Sequence, residues 1–279
     1  MTTLETPSGK NETTENFPVA QLIRKDLRPH VAAYYIFARA ADDISDDPLL
    51  DPAEKIARLD AFGAALTNPN DQSVASIIPL RDSLAQTGVS PVHALDLLIA
   101  FKRDTTKLRY ANFDELLDYC RYSAAPVGRY LLDLHGEPKE AWPANDALCA
   151  ALQILNHIQD CSKDYAELDR VYIPLDLMEK NGADPTHLSL EKEESSPELR
   201  QTLNDLLALT APLIQKARTF PPYIADGHLR FDTATIVVIA EKLAKLLAKR
   251  DPLRDNVKLN KPAKITAALT GLYRAFVHP

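Results

Sequence analysis

The stretch ARAADDISDDP, running from Ala38 to Pro48, sets four aspartates at the end of what reads as a helix. Pro29 suits a first helical turn, HVAAYYIFARAA continues without a breaker, and Pro48 stops it, so Asp42, Asp43, Asp46 and Asp47 crowd the last turns. That is the negative end of the helix macrodipole, where each anion costs roughly 0.3–1 kcal/mol, and like-charge repulsion in Asp42/Asp46 and Asp43/Asp47 at i,i+4 spacing adds a few tenths more. A compensating cation is expected there.

A second stretch repeats the pattern. ALCAALQIL, from Ala147 to Leu155, is apolar all round, as VAAYYIFA is in the first helix, and a helix without a polar face belongs in an interior. It then continues NHIQDCSKDY, which places Asn156, Asp160 and Asp164 one turn apart on one stripe, apart from an apolar stripe of Ile154, Ile158, Cys161, Tyr165 and Leu168. Either acidic cluster alone reads equally well as a helix end reaching solvent; two on interior helices favour a site.

Around these stretches helical periodicity is frequent and strand-like alternation scarce, which predicts an all-α chain with helices near 29–47, 52–67, 75–87, 91–105, 113–135, 144–168, 196–218, 230–250 and 262–277. Residues 1–15 read as a disordered polar tail, leaving 16–279 as one helical domain. The chain has 279 residues and is 46% hydrophobic, enough for a substantial core. No GxG arrangement is present among its 8 glycines, which argues against a dinucleotide fingerprint or a phosphate-cradling glycine loop. Cys120, Cys149 and Cys161 have no CxxC spacing, which points to a reducing cytoplasm. A net charge of −7 without a basic stripe disfavours nucleic acid, and no apolar run approaches the ~18 residues of a membrane span.

Carboxylates with one amide oxygen, and no His/Cys set around them, form a hard-oxygen site suited to Mg²⁺, which takes a few carboxylates and keeps waters and substrate phosphates in its shell. Arg39, one turn before Asp42, and Arg170, just after Asp164, suit a phosphate clamp; they suit ion pairs with nearby acids equally well.

RAADDISDD (Arg39–Asp47) and LQILNHIQDCSKDYAELDRVYIP (Leu152–Pro174) resemble the two aspartate-rich motifs of the squalene/phytoene synthase family, head-to-head prenyl-diphosphate enzymes. NFPVA (Asn16–Ala20), YCRYSAAPVG (Tyr119–Gly128) and Asp104 extend the resemblance, which covers roughly residues 16–260 and is greatest to the family's hopanoid-pathway branch. It implies a helical isoprenoid-synthase bundle around a central cavity. It also implies ionisation of presqualene diphosphate, rearrangement of the cation and capture by water to give hydroxysqualene. Carried onto this chain, Asp42, Asp46, Asn156, Asp160 and Asp164 would bind Mg²⁺, with Asp43 a further ligand candidate. Asp42, Asp46, Asp160 and Asp164 would thereby carry the catalysis. Arg39, Arg170 and Tyr172 would hold diphosphate, and Tyr119, Val127 and Gly128 would line the prenyl cavity.

Two positions depart from the family pattern: Gln159 stands where many relatives carry arginine, and Ile239 lies near a frequent tyrosine. Both departures weaken the expectation of condensing two farnesyl diphosphates, yet condensation stays open as an alternative, as does a non-catalytic helical binding module. Tyr34, Tyr35, His157 and Gln159 have the chemistry to position the capturing water. The sequence points to no partner protein. A water-insoluble product makes transient contact with a membrane surface an expectation, although the sequence shows no strongly basic amphipathic helix to carry it.

Overall fold

The computed structural model describes residues 23–277, so the tail and the NFPVA segment lie outside the described residues. The chain order is α1 (Arg28–Asp46), α2 (Pro52–Thr67), α3 (Ile77–Thr87), α4 (Val92–Asp104), α5 (Phe113–Ser123), α6 (Ala125–Leu134), α7 (Trp142–Leu168), α8 (Leu175–Asn181), α9 (Pro197–Ala217), α10 (Gly227–Leu247) and α11 (Lys261–Phe276). Among the described residues there is no strand, only a single parallel bridge between Arg109 and Val171.

Local chemistry accounts for the boundaries. Asp51 and Asn112 accept from backbone N–H groups of Glu54 and Glu115, starting α2 and α5, and Asp226 does the same for α10 through Leu229. Gly88 ends α3 at φ 72°, a conformation that costs glycine little. The segment expected as one helix over 113–135 is two, broken at Ala124 (φ −124°, ψ −49°). Pro126 lies in the first turn of α6, where its missing N–H has no partner to lose. The short α8 was not expected at all.

Two apolar cores result. One gathers α1 to α4 around Phe37, Ile44, Phe62 and Leu80 and takes Tyr130 and Leu134 from α6. The other gathers α5 and α7 to α10 around Leu116, Ile154, Leu155 and Leu203 and takes Leu132 from α6. Fully burying each such Leu, Ile or Phe contributes about 1.5–3 kcal/mol. Helix α1 packs on α2, α3 and α4, whereas α7 packs on α5, α6, α9 and α10. The two acidic helices therefore belong to different cores, and α4, α5 and α6 form the seam between them. Where α6 crosses α7, a Cβ on Gly128 would lie 2.0 Å from Asn145 Oδ1, so any larger residue here would have to displace the Asn145 side chain.

Candidate active site

At the end of α1 the four aspartates find partners within the chain. Arg39 pairs with Asp42 at 2.6 Å and with Asp43. Asp46 receives Arg170 Nη1 at 2.6 Å, and Asp47 accepts the Leu49 N–H at 2.8 Å. The compensation expected from a bound cation is thus supplied here by two guanidinium groups and a turn. One arginine, three residues before Asp42 and four before Asp43, and another from a distant loop reach these carboxylates.

Arg170 arrives by a specific route. Helix α7 ends at Asp169, the described non-glycine residue with positive φ (50°). Arg109 binds both the Asp169 carbonyl and, at 2.5 Å, its carboxylate, and Val171 N–H donates to the Leu108 carbonyl at 2.9 Å. Pinned this way, Arg170 is buried (6% exposed) and donates to Asp46, to the Ser45 carbonyl (3.1 Å) and to the Asp104 carbonyl (3.2 Å). Although burial opposes its charge, Tyr172, Asp104 and Asp46 hold this guanidinium protonated. One side chain thereby ties the last part of the second motif to the end of the first motif's helix.

Beside it, Tyr119 and Tyr172 donate to the two oxygens of Asp104 at 2.8 and 2.9 Å. Burial pushes this carboxyl up to about 6, even though Arg170 and both hydroxyls favour the anion. The His157 ring stacks on Tyr172 with centroids 3.7 Å apart, its Nδ1 lies 3.7 Å from Asp164 Oδ2, and its Nε2 lies 3.2 Å from the Gln153 amide. Lys55, which the sequence did not single out, donates to the Ser45 carbonyl at 2.8 Å, and burial followed by the Arg170 charge pulls its pKa down. Nothing in its α2 context marks it; only the fold brings it to Arg170.

On α7 the second row differs. Asp160 has no hydrogen bond or salt bridge among the described residues, and burial, then the neighbouring Asp164, pushes its carboxyl above the usual range. No group of three or more His, Cys, Asp or Glu side chains able to hold a metal converges among the described residues. The donor chemistry nevertheless fits Mg²⁺: two carboxylates one turn apart, one of them with no salt bridge among the described residues, suit an ion that completes its shell with water and phosphate.

The remaining expected residues fall as follows. Asn156 sits one turn before Asp160 on α7 and is half-buried. Val127 packs against the α1–α4 core, and Gly128 faces Asn145 rather than an open wall. Of the water-positioning candidates, Tyr34 donates to the His93 carbonyl and stacks on Tyr130, whereas Gln159 Nε2 donates to the Val257 carbonyl at 2.5 Å. Ile239 is buried with Val238 and Ala267.

A squalene/phytoene synthase family model matches residues 10–263. A hydroxysqualene synthase of Rhodopseudomonas palustris is 45% identical over 96% of this chain and 90% of its own length. One from Zymomonas mobilis is 44% identical over 91% and 86%. Among solved structures, squalene synthase HpnC from Alicyclobacillus acidocaldarius superposes with a TM-score of 0.72 at 28% identity, covering 81% of this chain and 85% of its own. A dehydrosqualene synthase in complex with ligand superposes at 0.77 with 22% identity over 93% and 91%, a likeness of fold. The helical isoprenoid-synthase architecture, the paired motifs and these identities over nearly the whole sequence agree that the chain belongs to the squalene/phytoene synthase family.

Proposed function

We propose that this chain is a hydroxysqualene synthase, ionising presqualene diphosphate and letting water capture the rearranged carbocation. The observation that carries the reading is the Arg170–Asp46 contact, which draws the two motifs to one place, on a chain 44–45% identical to hydroxysqualene synthases.

Asp42 and Asp46 on α1, with Asn156, Asp160 and Asp164 on α7, would hold Mg²⁺, with Asp43 a further ligand candidate. Bound there, Mg²⁺ supplies Lewis-acid neutralisation of the departing diphosphate. Arg39, Arg170 and Lys55 would meet phosphate oxygens, the two arginines giving up carboxylate partners and Lys55 the Ser45 carbonyl. The substrate C–O bond breaks with its electron pair leaving on the diphosphate. After rearrangement, a water oxygen bonds to the cation, and its proton passes to the departed diphosphate. The aromatic layer of Tyr119, Tyr172 and His157 excludes bulk water, so that quenching comes late. Of the water candidates, His157 belongs to this layer and carries its Nδ1 to 3.7 Å from Asp164.

Incubation with presqualene diphosphate and Mg²⁺, without nicotinamide, is expected to give hydroxysqualene by mass spectrometry. Consumption of farnesyl diphosphate instead would transfer the chain to the condensing members of the family. Turnover of neither would leave only a binding module.

A further inference from the structure

Helix α11 is built with its small side chains inward and its large apolar ones outward. Ala267, Gly271 and Ala275 form the buried stripe, which lies so close on α10 that a Cβ at Gly271 would sit 2.7 Å from the Thr235 backbone. On the opposite side Ile265, Leu269, Leu272, Tyr273 and Phe276 recur at helical spacing, with Ile265 61%, Leu269 64% and Phe276 51% exposed. Val277 follows them at 61%. The other exposed large apolar side chains are spread singly from Ile36 to Tyr223, so the concentration on α11 marks a surface built to meet something.

Charge says what it meets. Residues 241–277 hold nine lysines and arginines against three acids, in a chain of net charge −7. Those three acids are engaged: Glu241 by Arg218 and Arg274 (2.7 and 2.8 Å), Asp251 by Ser195 (2.6 Å), and Asp255 by Arg250 (3.4 Å). Lys245, Lys249, Lys261 and Lys264 are exposed and have no salt bridge among the described residues, whereas the exposed Lys258 acts on Asp160. Lys242 donates to Thr266 at 3.0 Å, which fixes the basic end of α10 beside the first turns of α11. The family match stops at residue 263, ahead of the apolar stripe.

We infer that α11 is a docking face for an anionic lipid bilayer, its outward stripe entering the headgroup boundary and the lysines at its N-terminal end meeting anionic headgroups. An apolar stripe alone would suit a protein partner or a second copy of the chain equally. The row of uncompensated lysines is what a negatively charged leaflet explains. The inference stands on α11 and does not depend on which diphosphate the site turns over.

Flotation of the full chain with vesicles of equal parts phosphatidylglycerol and phosphatidylcholine, against phosphatidylcholine alone, tests it. Partitioning is expected to be about tenfold stronger on the anionic vesicles and to weaken with salt. Leu269→Glu with Phe276→Glu, and separately Lys261→Glu with Lys264→Glu, should each lower it about tenfold, with the circular dichroism melt and the turnover of detergent-dispersed substrate unchanged. Leu269→Gln alone carries the same test should the double apolar variant melt early. Wild-type protein remaining in the soluble fraction with anionic vesicles, or an apolar variant binding them as tightly as wild type, would overturn the inference. So would a dimer in sedimentation velocity that the apolar variant disperses, which would assign the face to a second copy.

Discussion

The two acidic rows have nearly the same composition and opposite electrostatics. On α1, every aspartate of the row has a partner supplied by the chain: Arg39 for Asp42 and Asp43, Arg170 for Asp46, the Leu49 N–H for Asp47. On α7, Asp160 and Asp164 stand one turn apart with no arginine or lysine salt bridge among the described residues; burial together with mutual repulsion raises the Asp160 pKa, against the weaker pull of Lys163, Lys258 and His157. The first row is ion-paired or hydrogen-bonded within the chain, whereas the second has no close ion pair among the described residues, which is what the proposed metal site would use. A protein that must bind a metal–diphosphate complex gains from this asymmetry, because arginines held by carboxylates can turn to phosphate while unpaired carboxylates take the metal.

Arg170→Ala is the largest break in this comparison. It removes the buried guanidinium joining Asp46, Ser45 and Asp104, and is expected to cost about 3–5 kcal/mol in denaturant unfolding and to abolish turnover. Arg170→Lys should restore little, since one ammonium cannot make the three directed contacts.

A third carboxylate, Asp232 on α10, is buried without a salt bridge among the described residues and outside both motifs, so it serves as a control. Burial, with Asp226 nearby, pushes it up to about 7. Because the folded state holds this proton more tightly than the unfolded chain, the group costs nothing below the unfolded value of 3.8 and increasingly destabilises as pH rises toward 7. Asp232→Asn should therefore stabilise the protein at pH 8, by roughly 4 kcal/mol at most, and change nothing at pH 3. A flat difference across that range would show that the carboxyl is not held protonated.

The sharpest contrast is one of sign. Asp46→Ala leaves Arg170 without its carboxylate and should cost the metal-free protein about 2 kcal/mol. Asp160→Asn relieves burial of a charge and repulsion with Asp164, and should stabilise the metal-free protein by about 1 kcal/mol. Both should lose turnover, and thermal melts with and without Mg²⁺ and inorganic diphosphate separate them. Destabilisation by both would erase the distinction between the rows. Tyr119→Phe is the mildest change: it removes one of the two hydroxyls on Asp104 and should cost about 1 kcal/mol while raising the Asp104 pKa further above 6.

Much of the arrangement was legible along the chain. Pro29 and Pro48 bracket α1, and the i,i+4 stripe of α7 is visible in NHIQDCSKD, because both signals are local. The Asp169 turn clamped by Arg109, and the two tyrosines meeting on Asp104, join residues far apart in sequence, and no periodicity encodes such contacts. Pro126 punctuates the sequence, but whether it breaks a helix or opens the next depends on the neighbours of α5 and α6. Helix α8 spans too few residues to show a period. On α11 the large apolar residues that usually mark a buried face are the exposed ones, so pattern alone assigns the wrong side to the interior.

The central claim is that the second row is the one left for a divalent ion. Anomalous diffraction from crystals soaked with Mn²⁺ and inorganic diphosphate tests it directly. The account predicts metal peaks bonded to Asp160 and Asp164, with the diphosphate reaching Arg39 or Arg170. Metal bound elsewhere, with Asp160 and Asp164 left unligated at saturating Mn²⁺, would contradict it.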